Sequence, residues 1–588
     1  MTPLTQALLP TSTNQMRRKV FILHGLGGIG KTQLSVEFTR KYQGSYSAVF
    51  WIDGSSKERL RRSIADFASR LPQHQLSEGS RNYSRNRTAD VDKVVEDVLK
   101  WLSQPSNNQW LLIFDNVDRE SSVPSRDPEA FDVKEYFPIA DQGSILITSR
   151  LASLWQLGTD MKLEPVNEVQ GESILENSLG RLTEGSLELV NLLQGLPLAI
   201  NQAGSYMRKT GTNVSEYIEL YNQAWARLME KQHLSTLRED ADRSILTTWT
   251  LSFNSLRLQS EDATNLLMLW AFLDNGDLWY KLLAPALDLA IADEVPRWFA
   301  RCAGDKLEFK ECIGLLLEYS FIDAKTGSSS FSMHSVLHHW CFHTFEENKA
   351  TMSWLALIIV ASAVPSETVL HYSLIQRRLL PHCDHVYSML QRYLQDAFKN
   401  REYLPSLSRA CYQLGYLYSD QGKMKEAEDM YLRALAGKEK AWGPEHTSTL
   451  RTVNNLGLLY SDQGKMKEAE DMYLRVLVGY EKAWGPEHTS TLDTINNLGI
   501  LYKNQGKMKE AENMYLRALA GKEKAWGPEH KQTLDTRYNL GLLYKERSMF
   551  GKAVLQFKYV VQGYTKLLGP EHSETVEALN QLENCEVD

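Results

Sequence analysis

Short apolar runs alternate with amphipathic stretches over the first 150 residues of the chain. Each run is bounded by polar residues, a pattern typical of buried strands, and the intervening stretches, such as Val91 to Leu102, have helical spacing. Strands that alternate with helices predict an α/β domain built on a parallel sheet. The four predicted strands begin near Val20, Ala48, Trp110 and Gly143.

From about residue 161 to residue 350 the apolar spacing is helical, with two interruptions. The first is Gly195-Leu196-Pro197, where we expect Pro197 to begin or kink a helix because proline cannot donate a backbone hydrogen bond. The second is the polar stretch from Lys325 to Ser329, which predicts a small hairpin between two helices. Helices with one small hairpin indicate a winged-helix subdomain.

The last part of the chain repeats itself every 42 residues. Leu-Gly pairs and a Gly-Pro-Glu-His sequence recur at this period, and each unit has two helical segments, for example about Lys425 to Trp442 and about Thr449 to Ser461. A fixed period of this size predicts a solenoid of helix pairs. The consecutive units 422–463 and 464–505 differ at only eight positions.

Two residue types recur at the repeat period and suggest different roles. The asparagines are candidates to hydrogen-bond the backbone of an extended ligand, and bonding to neighbouring helices is an equal alternative. The tryptophans are predicted to be core residues. The asparagines are Asn455, Asn497 and Asn539, and the tryptophans are Trp442, Trp484 and Trp526.

A glycine-rich turn between the first predicted strand and helix has the Walker A spacing Gly-x4-Gly-Lys-Thr. Glycines let backbone N–H groups approach phosphate oxygens, and the following helix N-terminus attracts anions. Lys31 would reach the β- and γ-phosphates, and the Thr32 hydroxyl would bind Mg²⁺. The predicted nucleotide-binding residues of this turn are Gly25, Gly27, Gly28, Gly30, Lys31, Thr32 and Gln33.

Two later strands end in residues suited to the same chemistry. Asp115 follows an apolar run, and its carboxylate would hold Mg²⁺ at the edge of the sheet. Arg150 ends the next strand, where a guanidinium could sense the γ-phosphate. Taken alone, an arginine at this position is more often a surface residue.

Composition and charge narrow the class of protein. A net charge of -8 and a pI near 6.0 disfavour a general nucleic-acid or membrane binder, because such partners need a basic face. The six cysteines include no CxxC pair, so neither a zinc site nor a disulfide framework is expected. The most apolar run, Trp354 to Pro365, is shorter than the ~20 residues that span a bilayer. Without a signal peptide, we expect a cytoplasmic protein.

Five motifs occur in the order found in the NB-ARC family, which the region from about 17 to 350 resembles. This family comprises nucleotide-switched signalling ATPases of the STAND class. The resemblance implies ADP or ATP with Mg²⁺ as cofactors, Pro197 against the adenine, His334 on the β-phosphate of ADP and Arg150 as γ-phosphate sensor. The motifs are Gly25 to Thr32, Asp115 with its apolar lead-in, Thr148-Ser149-Arg150, Gly195-Leu196-Pro197 and Met333-His334-Ser335.

Three departures from the family pattern matter. Asn116 stands where the family usually has a second acid, and an amide cannot take a proton from water, so hydrolysis is expected to be slow at most. Ser335 replaces the aspartate of the family's MHD motif. Only about 18 residues precede the Walker A strand, which leaves no room for an effector domain ahead of it.

The repeats resemble tetratricopeptide (TPR) repeats of a long form, similar to those of kinesin light chains. We therefore expect a multidomain protein: an α/β P-loop NTPase domain, then helical and winged-helix subdomains, then an all-α TPR solenoid. The predicted boundaries are a tail at 1–16, the nucleotide-binding domain at 17–160, the helical subdomain at 161–245, the winged-helix subdomain at 246–350, a helical linker at 351–405 and the repeat array at 406–588.

The resemblance implies a nucleotide-dependent switch of the kind found in fungal and bacterial NOD-like receptors. In this hypothesis the concave face of the array binds a protein or peptide ligand, and nucleotide exchange permits homo-oligomerisation. Two alternatives stay open at this point. One is a passive TPR adaptor with a degenerate NTPase module, and the other is a turnover ATPase.

Overall fold

The computed structural model describes residues 1–10, 17–83, 91–119, 130–181, 184–230, 240–287, 295–325, 327–344, 349–366, 369, 372–394 and 403–587. The chain divides into two compact units, Met1–Tyr393 and Leu394–Asp588.

A five-stranded parallel sheet of order β2-β3-β4-β1-β5 forms the centre of the first unit's N-terminal part. The four predicted strands are its first four members, so the predicted α/β fold is confirmed. The carboxyl ends of β1, β3 and β4 meet at one edge, because the strands are parallel and adjacent. The elements are α1 (Thr2–Leu8), β1 (Lys19–His24), α2 (Lys31–Tyr42), β2 (Ala48–Asp53), α3 (Lys57–Asp66), α4 (Glu78–Tyr83), α5 (Val91–Leu102), β3 (Trp110–Asp115), β4 (Ser144–Ser149) and β5 (Thr159–Lys162).

The helix α1 corrects the prediction that residues 1–16 are a tail. Leu4 and Leu8 are fully buried in the core on one side of the sheet. The carbonyl oxygen of Leu8 accepts hydrogen bonds from the Tyr46 hydroxyl at 3.0 Å and from the Ser144 hydroxyl at 2.8 Å. A helix of seven residues shows too few turns for a clear period, so only packing reveals it. Residues 11–16 lie outside the described part of the chain.

Among the described residues, helices and one small hairpin form the rest of the first unit. Pro197 begins α8, and the hairpin lies where the sequence predicts it, with Asp323 opposite Ser332. The subdomain boundaries within this region remain predictions. The elements are α6 (Glu168–Leu179), α7 (Ser186–Leu192), α8 (Pro197–Thr210), α9 (Val214–Glu230), α10 (Asp240–Gln259), α11 (Glu261–Trp270), α12 (Tyr280–Leu283), α13 (Arg297–Gly304), α14 (Lys306–Glu318), β6 (Asp323–Ala324), β7 (Phe331–Ser332), α15 (Ser335–Thr344), α16 (Lys349–Ser362) and α17 (Tyr372–Tyr393).

The second unit is a stack of helix pairs, as predicted. Successive first helices of the pairs contact one another more extensively than successive second helices do, which places the first helices on the inner side of the stack. The pairs are α18 (Leu404–Asp420) with α19 (Met424–Trp442), α20 (Thr447–Asp462) with α21 (Met466–Trp484), α22 (Thr489–Asn504) with α23 (Met508–Trp526), and α24 (Lys531–Glu546) with α25 (Phe550–Leu568), followed by α26 (Ser573–Val587).

The recurring tryptophans are not core residues, contrary to the prediction. Trp484 is 37% exposed, and its ring lies 4.5 Å from the ring of His488. His488 caps α22 by accepting a hydrogen bond from the Ser490 amide at Nδ1. Each tryptophan therefore packs on the histidine that begins the next helix, an arrangement that recurs at Trp442 and Trp526.

Candidate nucleotide site

The turn between β1 and α2 has the geometry of a phosphate-binding loop. Gly25, Gly28 and Gly30 have φ angles of +148°, +74° and +97°. A Cβ atom at Gly25 would lie 2.8 Å from the carbonyl oxygen of Leu163, and one at Gly27 would lie 3.2 Å from the side chain of Val336. Glycine is therefore needed in this loop for two reasons: some positions have positive φ angles, and at others a neighbouring segment leaves no room for a side chain.

Lys31 lies inside this loop. Its Nζ donates hydrogen bonds to the carbonyl oxygens of Gly25 and Leu26, both at 2.8 Å. Burial lowers the pKa of Lys31, while the carboxylates of Asp118 and Asp115 act in the opposite direction. The ammonium group is thus held at the position from which it could meet a phosphate.

Asp115 and Thr32 come together at the end of β3. The Thr32 hydroxyl donates a hydrogen bond of 2.9 Å to Oδ1 of Asp115, and the Thr148 hydroxyl donates one of 2.5 Å to the same oxygen. Burial raises the pKa of Asp115 despite these bonds. A hydroxyl and a carboxylate oxygen in contact form the kind of hard-oxygen pair that Mg²⁺ prefers.

The chain turns sharply after Asp115. Asn116 has a φ of +66°, and its backbone N–H donates a hydrogen bond to the Thr148 hydroxyl at 2.9 Å. This turn ends the strand and brings Asp118 back toward the end of β4. Asp118 is therefore delivered by a turn and not by strand alternation, so its distance from the loop could not be read from spacing.

Asp118 is a site residue that the sequence left unassigned. Its carboxylate accepts hydrogen bonds from the backbone amide and from Nε of Arg150, both at 2.6 Å. The side chain of Asp118 is 11% exposed, whereas that of Arg150 is 58% exposed. The predicted sensor arginine thus lies near Lys31, but its guanidinium is held by an acid that also acts on Lys31.

His334 is distant from the glycine loop in sequence but lies near Lys31 and Arg150 in the fold. Although His334 is exposed to solvent, the protein atoms packed around its ring lower its pKa to about 4, and the positive charges of Lys31 and Arg150 add to the effect. Nδ1 accepts a hydrogen bond from the Val336 amide at 3.3 Å. The ring is therefore neutral at pH 7 and, by this hydrogen-bond assignment, carries its proton on Nε2, which is then a donor.

Pro197 is linked to the loop by the segment after β5. The Leu163 amide donates to the carbonyl oxygen of His24 at 2.7 Å, and the Val166 amide donates to that of Gly195 at 3.0 Å. This segment connects the start of the glycine loop with the turn before α8. Gln33, in contrast, is exposed on the first turn of α2.

The recurring asparagines lie half-buried on the first helices of the array. Nδ2 of Asn455 donates to the hydroxyl groups of Tyr412 at 3.1 Å and Tyr431 at 3.3 Å, and Asn539 contacts Asn496 at 3.4 Å. Asn455 therefore has side-chain partners within the array, and its role toward a ligand stays a prediction, as do those of Asn497 and Asn539.

Membrane-spanning helices and clusters of metal-binding side chains are both absent from the described residues. None of the described helices is long and apolar enough to cross a membrane. The same part of the chain holds no group of three or more His, Cys, Asp or Glu side chains that could bind a metal ion.

Two protein-family descriptions match separate segments of the chain. The NB-ARC domain matches residues 4–171, and the tetratricopeptide repeat matches residues 407–482, 454–524 and 490–566. A nucleotide-binding leucine-rich repeat (NLR)-like protein of the fungus Hyaloscypha variabilis is 26% identical over 479 residues. That match covers 76% of this chain and 44% of the relative, so the chain spans less than half of the relative's length.

Two solved structures match this chain, one over most of its length and one over about a third of it. A STAND protein with a tetratricopeptide repeat sensor from Pyrococcus horikoshii is 13% identical, with 97% of this chain and 84% of that chain covered and a TM-score of 0.37. Nearly identical TPR-like repeats assigned to a kinesin light chain of Podosopora anserina are 24% identical, with 32% of this chain and 87% of that chain covered and a TM-score of 0.29. From its matched regions, the chain combines an NB-ARC domain with tetratricopeptide repeats.

Proposed function

We propose that the chain is a nucleotide-dependent signalling switch in which the TPR array binds a protein ligand and exchange of ADP for ATP permits homo-oligomerisation. The observation that carries the proposal is the convergence on one loop of Lys31, Asp115, Arg150 and His334, which come from four separate segments. A scaffold without a ligand here would have no need to bring these polar side chains together.

The residues present fit a nucleotide with Mg²⁺. The glycines of the loop would let backbone N–H groups approach phosphate oxygens, and Lys31 would supply the positive charge. Thr32 and Asp115 would hold the metal ion, which neutralises phosphate charge when it is bound. Pro197 would face the adenine, and Nε2 of His334 would donate to the β-phosphate of ADP.

Arg150 and Asp118 form the part of the site that can distinguish the two nucleotides. Both oxygens of Asp118 are bound by Arg150. A γ-phosphate would compete for this guanidinium, because phosphate oxygens accept the same charge-assisted hydrogen bonds. Release of the Arg150 guanidinium would leave the charge of Asp118 without its arginine partner beside the loop, and the two nucleotides would then favour different arrangements of the site.

Hydrolysis is expected to be slow. Asn116 cannot act as a general base, and Asp118 is occupied by Arg150. A site that retains its nucleotide is better suited to a switch than to turnover.

The test is to purify the full chain, denature it and quantify the released nucleotide. Wild type should release about one ADP per chain, whereas Lys31→Ala should release almost none, because the ammonium group no longer neutralises the phosphates. Asp118→Asn should keep the nucleotide but exchange ADP for ATP faster, because its neutral amide holds Arg150 less strongly.

Wild type that is as empty as Lys31→Ala would overturn the switch and favour the passive adaptor, whereas rapid multiple turnover of ATP would favour the turnover ATPase. The step to oligomers has its own measurement. Light scattering should report a larger assembly with ATP than with ADP, and an unchanged mass would remove oligomerisation from the proposal.

A further inference from the structure

Two positions of the repeat change their charge along the array. The second-helix position alternates between lysine and tyrosine, and the first-helix position changes from arginine to aspartate. Two of the eight differences between units 422–463 and 464–505 fall at these positions. The second-helix residues are Lys438, Tyr480, Lys522 and Tyr564, and the first-helix residues are Arg409, Arg451, Asp493 and Asp535.

Lys438 is a buried lysine whose charged neighbours are two arginines. It is 3% exposed, and its Nζ donates hydrogen bonds to the Thr452 hydroxyl at 2.9 Å and the Ser448 carbonyl oxygen at 3.2 Å. Burial and the neighbouring charges of Arg451 and Arg409 lower its pKa to about 7. Its partners are neutral, so they do not compensate the charge.

Lys522 occupies the same position two repeats later and is compensated. It is also 3% exposed, but its Nζ forms an ion pair of 2.8 Å with Asp493. The first helix of the following repeat carries Asp535, whose carboxylate accepts a hydrogen bond from the Tyr564 hydroxyl at 2.6 Å. The chain thus contains one lysine flanked by two arginines and an equivalent lysine that is paired with an aspartate.

Arg409 and Arg451 lie beside Lys438, and Arg451 offers its positive charge to a ligand. Both residues are exposed on first helices, and Arg451 forms no ion pair within the described residues 403–587. The ring of Tyr412 lies 4.1 Å from Nζ of Lys438, and its hydroxyl accepts a hydrogen bond from Asn455. Positive charge, an aromatic ring and an amide thus adjoin on the inner helices.

We propose that the cluster of Arg409, Tyr412, Lys438 and Arg451 binds the carboxylates of a short acidic peptide segment in the array's protein ligand. Such a carboxylate would supply the negative charge that Asp493 supplies to Lys522. This inference rests on the proposed sensing role of the array and assigns the chemistry of its ligand.

The charge change along the array favours a short acidic segment over a long polyanion. Asp493 and Asp535 occupy the next two first-helix positions and would repel a nucleic acid that followed the inner helices. The net charge of -8 acts in the same direction.

The test measures binding of fluorescein-labelled hexaglutamate to the full chain, with hexaglutamine as the neutral probe. Hexaglutamate should bind more tightly, and added salt should weaken it. Arg451→Asp, which copies the residue of the next repeat, should raise the Kd at least ~10-fold, and Arg451→Lys should raise it less.

Lys438→Tyr and Lys522→Tyr form a matched pair. Tyrosine occupies this position in two other repeats, so both variants should fold, as circular dichroism would verify. Lys438→Tyr should weaken hexaglutamate binding about as much as Arg451→Asp does, whereas Lys522→Tyr should leave it unchanged.

The inference is overturned if hexaglutamate binds no more tightly than hexaglutamine, if Lys522→Tyr has the same effect as Lys438→Tyr, or if a single-stranded dT oligonucleotide binds more tightly than hexaglutamate. The Lys31→Ala variant distinguishes a failure of this inference from a failure of the proposed function. Because Lys31→Ala leaves the array untouched, it should bind hexaglutamate normally whether or not wild type retains nucleotide.

Discussion

The candidate nucleotide site and the cluster around Lys438 assemble their charges over very different distances along the chain. Lys31 is influenced by Asp118 and Arg150 and lies near His334, so its surroundings require most of the first unit to be folded. Lys438 is influenced by Arg409 and Arg451, which belong to its own repeat and to the next one. A substitution in the first site should therefore disturb the whole site, whereas a substitution in the array should disturb only its own repeat and the adjacent repeats.

The largest effect is expected from a packing change in the first unit. A Cβ atom at Gly204 would lie 1.9 Å from the Ser178 hydroxyl and 3.2 Å from the backbone nitrogen of Leu179. At Gly479 in the array, the nearest atoms belong to the side chain of Leu450, which can move. Gly204→Ala should therefore lower the free energy of unfolding by about 2–3 kcal/mol and Gly479→Ala by about 1 kcal/mol.

Urea denaturation of the full chain would measure both changes. The gain of about 1 kcal/mol in helix propensity from glycine to alanine applies to both helices and cancels in the comparison. Equal losses of stability would show that close helix packing is no more rigid in the first unit than in the array.

An intermediate effect is expected in the pH dependence of stability. The pKa of Lys438 is about 7 in the folded chain and near the ordinary lysine value of 10.5 in the unfolded chain, so the unfolded chain binds more protons between these pH values. Stability should therefore rise with pH above 7, by at most about 1.4 kcal/mol per pH unit. Lys438→Tyr should remove this rise between pH 7 and 9.

Lys522→Tyr is the matched control for this pH series, because Lys522 is equally buried but paired with Asp493. Urea midpoints at several pH values would give the two slopes. A slope that survives in Lys438→Tyr would assign the pH dependence to other groups.

The smallest effect is expected from the histidine caps of the array. His488→Ala removes the bond from the Ser490 amide and the contact with Trp484, and should cost about 1 kcal/mol. The loss should stay local, so hydrogen exchange should accelerate in the first turn of α22 and not in α24. Glu487→Gln, which removes only an exposed ion pair with Lys524, should change stability by less than about 0.5 kcal/mol.

Much of the fold could be predicted from the sequence. The four strands, the start of α8 at Pro197 and the repeat helices agree with their predicted places. These features depend on local spacing, since apolar periodicity and turn residues act over a few positions. The short α1 was missed because its two buried leucines matter only when a sheet covers them.

Less of the candidate site could be predicted. Motif spacing indicated Lys31 and Asp115, but it did not indicate that Asp118 holds Arg150. That pair depends on the left-handed turn at Asn116 and on the neighbouring end of β4. The partly exposed tryptophans show the same limit, because an aromatic residue at each repeat can pack either in the core or on the histidine that caps the next helix.

The sequence by itself determined the parallel sheet with its glycine loop and the 42-residue period of the array, because spacing along a strand or a helix sets which side chains share a face. Only the tertiary structure decided which charges compensate one another. Arg150 is held by Asp118, and Lys438 and Lys522 have opposite surroundings although their repeats are nearly alike. The reason is that electrostatic energy depends on distance and burial across elements, which the order of residues does not contain.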